Sequence, residues 1–397
     1  MTLSVQPPAR THAGIAALLA MVTALSPLAI DTYLPAFPAI ADSFFVSVHQ
    51  VSLSISVYVF VLALGNLSGG PLSDHFGRDR IMLTGLALFG IASLLISFAP
   101  DLETFIALRA LQAFGGGWAV VCVPALVRDR LSGQEAARFF SLIGLLMVAA
   151  PALAPSIGSL FLNWSGWISI FIFLGCYAVL MLLLLKGIVF AGYQRPVHHE
   201  QVSILQRYKA VINTRPAMRF ILTGAFAFSV MMLFITHASF IYQQHFGVSP
   251  GNFALLFGAN VVLMLIMNLT NRRLLKRLLP VTILRSALTV QGVGLVMLLC
   301  VTLLADSLWL FVPAMILSIG MLGAVSPNIQ ACYMEYFPQH GGTAAALMGA
   351  TQFSVAGLIS ALSALLPESI TAVVMAQLAC SALCLLLIWT RPKDSTG

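Results

Sequence analysis

Residues 104–127 read TFIALRALQAFGGGWAVVCVPALV, an apolar run interrupted by a single cation, Arg109. Asp101 and Glu103 precede the run, and Arg128 and Arg130 follow it. A run of this length suits a helix that crosses a hydrocarbon layer about 30 Å thick. The flanks give it a direction, because cytoplasmic connections collect Lys and Arg. The acid-flanked start then lies outside and the arginine-flanked end inside.

The pattern repeats along all 397 residues. Comparable runs occupy 13–35, 48–69, 80–99, 104–127, 138–162, 166–190, 217–243, 250–270, 280–304, 308–333, 342–365 and 369–390, which predicts twelve helices. Of the 20 Lys and Arg, Arg80, Arg138, Lys186, Arg219 and Arg285 fall near the basic ends of their runs, and Arg109 alone falls within a run near its acidic end. The rest lie in, or at the edges of, alternate connections: Arg10; Arg78 and Arg80; Arg128, Arg130 and Arg138; Lys186 to Arg219; Arg272 to Arg285; Arg391 and Lys393. The intervening connections carry Asp42, Asp101, Glu103, Asp306 and Glu368, and no Lys or Arg. Both termini are therefore expected in the cytoplasm.

Composition agrees with this reading. Hydrophobic residues make up 59% of the chain and charged residues 8%, against roughly 25% charged in a soluble domain. Short alternating segments, the mark of a closed barrel, are absent. The net charge of +7 is scattered over short loops and lines no face with aromatics, so nucleic acid is not an expected partner. The six cysteines (Cys122, Cys176, Cys300, Cys332, Cys380 and Cys384) fall within the runs without metal-ligand spacing and read as small packing groups. The first run has no small-residue cleavage site and contains Asp31, so it reads as a retained helix. The fold class is an all-α polytopic membrane protein.

The longest connection, 191–216, holds Arg195, His198, His199, Glu200, Arg207 and Lys209. It reads as a cytoplasmic linker with room for a short amphipathic helix. It separates a six-helix bundle over 1–190 from another over 217–397. Two such halves suggest a transporter built from repeats with a site between them. A channel would more often assemble fewer helices per chain. A membrane sensor would carry a large extra cytoplasmic domain, whereas this chain ends soon after helix 12.

Two ionisable residues stand inside the membrane runs, Asp31 and Arg109, histidine aside. An unpaired charge at mid-membrane costs about 2.5–3.5 kcal/mol on insertion scales, so such residues ask for a function. Helix 1 runs outward with Asp31 near its outer end. Helix 4 runs inward with Arg109 roughly 8–9 Å deep at 1.5 Å per residue. The two are predicted at similar depth in one half, facing a shared cavity. Two readings stand: a static ion pair joining helices 1 and 4, or a proton-binding carboxylate tuned by the guanidinium.

Three motifs point further. Between helices 2 and 3 stands Gly70-Pro71-Leu72-Ser73-Asp74-His75-Phe76-Gly77-Arg78-Asp79-Arg80, read as a glycine-bracketed turn. Helix 4 contains Arg109-Ala110-Leu111-Gln112-Ala113, and helix 5 contains Ala150-Pro151-Ala152-Leu153-Ala154-Pro155-Ser156-Ile157-Gly158. Pro151 and Pro155 remove two backbone donors within about a turn, so a bend is expected. Ala150, Ala154 and Gly158 allow close approach of another helix.

These elements resemble the G-x-L-x-D-x-x-G-R-x-R/K, R-x-x-Q-G and helix-5 antiporter motifs of the major facilitator superfamily. Ala113 replaces a usual glycine, as do alanines in helix 5. The A-P-x-x-A-P-x-x-G form, with Asp31-Thr32-Tyr33-Leu34-Pro35, Tyr333-Met334-Glu335-Tyr336-Phe337-Pro338 and Gly342-Thr343-Ala344, is similar to the Bcr/CflA drug-resistance subfamily over essentially the whole chain. The resemblance implies a major facilitator fold that rocks between two access states. It implies proton and substrate coupling at Asp31 and Arg109. It also implies a latch in which Asp74 meets the N-terminus of helix 11, with Gly70, Gly77, Arg78 and Arg80 around it. The corresponding second-half segment, Asn271 to Arg277, lacks the acid, so the latch is expected on one side only.

Tyr58, Gln112, His237, Asn260, Asn268, Asn328, Gln330 and Gln352 are candidates for the cavity wall, with interhelical hydrogen bonding as the alternative for each. Met231, Met232 and Phe234 fit an adaptable apolar wall. The expected function is export of amphiphilic small molecules, antibiotics of the bicyclomycin or chloramphenicol type, in exchange for protons across a bacterial inner membrane. Export of a native metabolite such as a sugar or amino acid is the alternative. The partners are then drug, protons and lipid. No metal or cofactor, no enzymatic nucleophile–base set and a monomer are expected.

Overall fold

A computed structural model describes residues 9–130, 133–191, 204–337 and 341–389. Expectations for 192–203 of the linker, for Pro338 and for 390–397 lie outside them. The described chain is helical almost throughout, and eleven of its helices are long and apolar enough to span a bilayer. Helix 5, Gly133–Ser165, makes the twelfth.

The remaining spans are helix 2, Val48–Phe76; helix 3, Arg78–Ile96; helix 4, Leu102–Arg130; and helix 6, Ile168–Leu184 with a π turn Leu185–Val189. In the second half come helix 7, Arg215–Ser239 with a π turn Phe240–His245; helix 8, Pro250–Leu274; and helix 9, Pro280–Leu304. Helix 10 is Leu308–Gly320 continued by Leu322–Met334, helix 11 is Gly341–Ser363 and helix 12 is Ile370–Trp389. A short helix, Ile204–Ile212, lies in the linker.

Two boundaries differ most from the sequence reading. Helix 1 does not stop near residue 35. It runs as Ala9–Thr23 and Leu25–Asp31, tightens over Leu34–Ala36, and resumes as Phe37–Phe44. Pro35 has no N–H to give the Asp31 carbonyl four residues earlier, so the helix is interrupted beside Asp31 without ending. Helix 2 does not end near 69 but continues through Gly70 and Pro71 to Phe76. The expected glycine-bracketed loop is therefore the last two turns of a helix, and the reversal is made at Gly77 alone. Its φ of 100° is a conformation open to glycine and costly for other residues.

Helices 1–6 pack mainly with one another, as do helices 7–12. The first half is knitted by glycine crossings. A methyl on Gly117 of helix 4 would stand 2.8 Å from the Leu62 carbonyl of helix 2, and one on Gly65 would stand 2.7 Å from the Phe114 carbonyl. The second half repeats this crossing at Gly323 of helix 10, against the Met264 carbonyl of helix 8. In both, backbones meet where only glycine leaves room.

Candidate functional site

A cavity of about 300 Å³ lies between the halves. Helix 1 gives it Ser26, Pro27, Ile30 and Asp31, and helix 5 gives it Pro151. The rest comes from the second half, chiefly Phe228, Met231, Met232, Phe234, Phe257, Asn260 and Asn268. Asp31 is the one ionisable side chain in this wall, and its Oδ1 has no hydrogen-bond partner among the described residues. The wall is otherwise mostly apolar, with Met and Phe side chains that repack around differently shaped occupants.

Helix 5 explains how Asp31 is presented. A methyl on Gly158 would fall inside the Thr32 carbonyl. The missing side chain therefore lets helix 5 seat directly on the interruption of helix 1, one residue past Asp31. Pro151, two turns earlier on helix 5, reaches the wall.

Arg109 is wholly buried, but it neither faces the cavity nor pairs with Asp31. Among the described residues no basic group stands within ion-pair distance of Asp31. The Arg109 guanidinium lies 4.3 Å over the ring centroids of both Tyr33 and Tyr58, and 5.7 Å over that of Phe171. Nη2 donates to the Ala29 carbonyl at 3.0 Å, and Nη1 donates to Gln112 Oε1. Gln112 in turn donates to Ser93 Oγ at 2.6 Å, and Ser93 donates to the Phe89 carbonyl.

Desolvated cation–π contacts contribute about 2 kcal/mol each, and hydrogen bonds from a charged donor about 1.5–3 kcal/mol. Together these outweigh an insertion cost of about 3 kcal/mol, so the cage alone accounts for a charge at this depth. The expected match in depth with helix 1 is present, but it is made at Ala29. Two residues along a helix turn the side chain through roughly 200°, which sends Asp31 to the cavity while Ala29 meets the cage.

The other cavity candidates divide in the same way. Asn260 and Asn268 reach the wall, as do Met231, Met232 and Phe234. Tyr58 and Gln112 belong to the Arg109 cage instead. Asn328 is buried behind the wall, donating to Asn271 Oδ1 at 2.7 Å, and Gln330 is exposed. Gln352 packs beside Gly224, and His237 sits beyond the wall.

The cavity is closed at the end that carries Asp101, Asp306 and Glu368. Helices 2 and 11 run antiparallel in contact there. Ser47 donates to Glu368 Oε1 at 2.9 Å, and His49 Nε2 lies 3.0 Å from the Ala364 carbonyl. Ser56 and Ser360 hydroxyls pair at 2.7 Å, and Thr236 of helix 7 joins Ser360 at 2.6 Å. A methyl on Gly357 would stand 2.7 Å from the Phe60 amide nitrogen. From Ser47 to Phe60 this seam covers about 20 Å of helix. Gln243 adds a bond at 3.4 Å to the Leu34 carbonyl of helix 1. Toward the basic end a methyl on Gly70 or Gly349 would meet nothing. Sequence reasoning missed this seam, because single serines and a histidine at helix starts carry no periodic signal.

Asp74, on the last turn of helix 2, pairs with Arg78 at 3.6 Å, so its partner among the described residues is not the helix 11 N-terminus. At the opposite end, the Asp101 carboxylate accepts the Thr104 N–H at 2.7 Å and caps helix 4, which holds its carboxyl below the usual range.

Comparison with known proteins agrees with this architecture. A D-xylose–proton symporter structure superposes with a TM-score of 0.76 at 14% identity, covering 96% of this chain and 97% of that one. A bacterial homologue of ferroportin in an inward-facing state gives 0.71 at 18% identity, with 96% and 98% covered. In sequence, the bicyclomycin resistance protein homologue of Haemophilus influenzae is 28% identical over 87% of each chain. Multidrug resistance protein D of Escherichia coli is 26% identical over 89% of each. A chloramphenicol resistance protein of Pseudomonas aeruginosa is 34% identical over 40% of this chain and 38% of its own. The family model described as Major Facilitator Superfamily matches residues 19–361. With twelve membrane helices in two bundles, a cavity between them and this match over most of its length, the chain belongs to the Major Facilitator Superfamily.

Proposed function

We propose that this protein exports amphiphilic small molecules, antibiotics among them, in exchange for protons across a bacterial inner membrane. The observation that carries the reading is Asp31, the lone ionisable side chain in a mostly apolar wall between the two halves. A carboxyl there binds a proton or a polar group of the substrate, and competition between the two couples their movements. The resistance proteins to which the chain is similar support the substrate class. Lys and Arg gather at one end of the bundle, which supports placing that end and both termini in the cytoplasm.

On this orientation the present state opens inward, with the seam of helices 2 and 11 closing the outside. Arg109 acts at a distance, fixing the Ala29 carbonyl and hence the helix turn that aims Asp31. Asp74 would engage helix 11 in the opposite state, when the cytoplasmic ends close.

Resistance profiling of a pump-deficient bacterium tests the reading, with amphenicols, bicyclomycin-like agents and cationic dyes. Wild type should raise tolerance to at least one class and Asp31→Asn to none, at equal membrane abundance. Equal protection by Asp31→Asn would reject the coupling role. No protection by wild type against any agent would favour metabolite export.

A further inference from the structure

The seam contains two titratable rings for which exchange at Asp31 has no use. His49 comes from helix 2 of the first half and His237 from helix 7 of the second, and both are buried. Their rings stack with centroids 5.4 Å apart and planes 26° apart. Their hydrogen bonds define which nitrogen carries the proton. His49 Nε2 faces a carbonyl, so it must donate. Ser363 gives its own hydrogen to the Ser360 carbonyl, so its oxygen can only accept from His237 Nε2, 2.8 Å away. In the neutral rings both Nδ1 lone pairs are therefore left over, and His237 Nδ1 has no partner.

The titratable group that acts on His237 is His49. Helix 11 presents Ser360, Ser363 and Ala364 to the pair, and helix 1 presents the Leu34 backbone to the neighbouring Gln243. Glu368, before helix 12, accepts from Ser47, two residues ahead of His49. Among the described residues no carboxylate pairs with either ring.

We propose that His49 and His237 form a second proton-binding site, separate from Asp31, whose loading opens the seam between the halves. A proton on His237 Nδ1 creates a buried cation without a partner, which is strongly unfavourable. A second proton adds like-charge repulsion across the stack. Parting helices 2 and 7 returns both rings to water and relieves both costs. Proton binding and opening are thereby linked, each favouring the other. The site rests on the proposed orientation for one point only, that the proton arrives from outside.

The test uses full-length protein in lipid nanodiscs with spin labels at Glu103→Cys and Ala305→Cys. These positions are exposed at the acidic end, one in each half. The two exposed native cysteines, Cys176 and Cys300, are replaced by serine. Between pH 8 and pH 5.5 the wild-type seam should gain a longer-distance population. The open-to-closed ratio should rise about tenfold if the open seam holds the proton about tenfold more tightly. The double variant His49→Phe/His237→Phe keeps a stack of rings but binds no proton, and its ratio should stay constant. Should it fold poorly, His237→Gln, which keeps a donor for Ser363, carries the same expectation. Asp31→Asn should respond as wild type does even though its export is lost, which separates this site from the coupling carboxylate. A wild-type-sized response in the histidine variants overturns the proposal. So does loss of the response in Asp31→Asn alone, or no response in wild type.

Discussion

The two halves share a scaffold but not a chemistry. Gly117 crosses helix 2 at Leu62, and Gly323 crosses helix 8 at Met264, so these glycines occupy matching places. Eight residues before Gly117 stands Arg109, and eight before Gly323 stands Met315; both are wholly buried. Four residues before Leu62 stands Tyr58, stacked on Arg109, and four before Met264 stands Asn260, in the cavity wall. The first half therefore turns its polar resources inward, into a caged cation that braces helix 1. The second half turns its helix faces toward the cavity and supplies most of the wall. One half positions the acid while the other makes room for the cargo.

Breaking the shared scaffold should have the largest effect. Gly158→Ala and Gly323→Ala each force a methyl into a neighbouring carbonyl, and each should destabilise the protein by about 3 kcal/mol or more. Thermal unfolding in detergent would show both as large losses of Tm, with Gly158→Ala also disturbing the helix 1 interruption. A silent Gly323→Ala would mean that its crossing does not carry the packing, and a silent Gly158→Ala that helix 5 does not seat on the helix 1 interruption.

Arg109→Met gives the first half the residue that the second half already has. It removes the donors to Gln112 and Ala29 and leaves two buried acceptors unsatisfied, each at about 1–3 kcal/mol. A Tm drop and loss of export should accompany it, with no rescue by Arg109→Lys, which lacks the planar fork that stacks and donates together. Full activity in Arg109→Met would show that the cage is dispensable. The reverse exchange, Asn260→Tyr, puts the first half's tyrosine into the wall. It should weaken drug binding about tenfold, equivalent to 1.4 kcal/mol, while leaving Tm near wild type. Unchanged affinity would remove Asn260 from the site.

Much of this was legible in the residues. The twelve runs, the acid and basic ends and the anomaly of Arg109 follow from hydropathy and charge placement. The depth match between helices 1 and 4 was legible as well. Azimuth was not: Ala29 and Asp31 lie on opposite sides of one helix, and nothing in the run shows which side faces Arg109. Gln112 carried a usable sign, since residues three apart share a helix face, yet it reads equally well as a cavity residue. Helix ends were obscured where polar residues continue a helix beyond its apolar run, as at Asp42 and Asp74. The seam and its histidines depend on contacts between residues more than 100 apart in the chain, which no local pattern encodes.

The central claim is that drug and proton compete for Asp31. Purified protein in weakly buffered detergent solution, titrated with a transported drug, reports this directly as a change in pH. Wild type should release protons in proportion to drug bound, and Asp31→Asn should bind drug or fail to bind it without releasing any. Equal release from Asp31→Asn, or none from wild type while drug binds, would contradict the account.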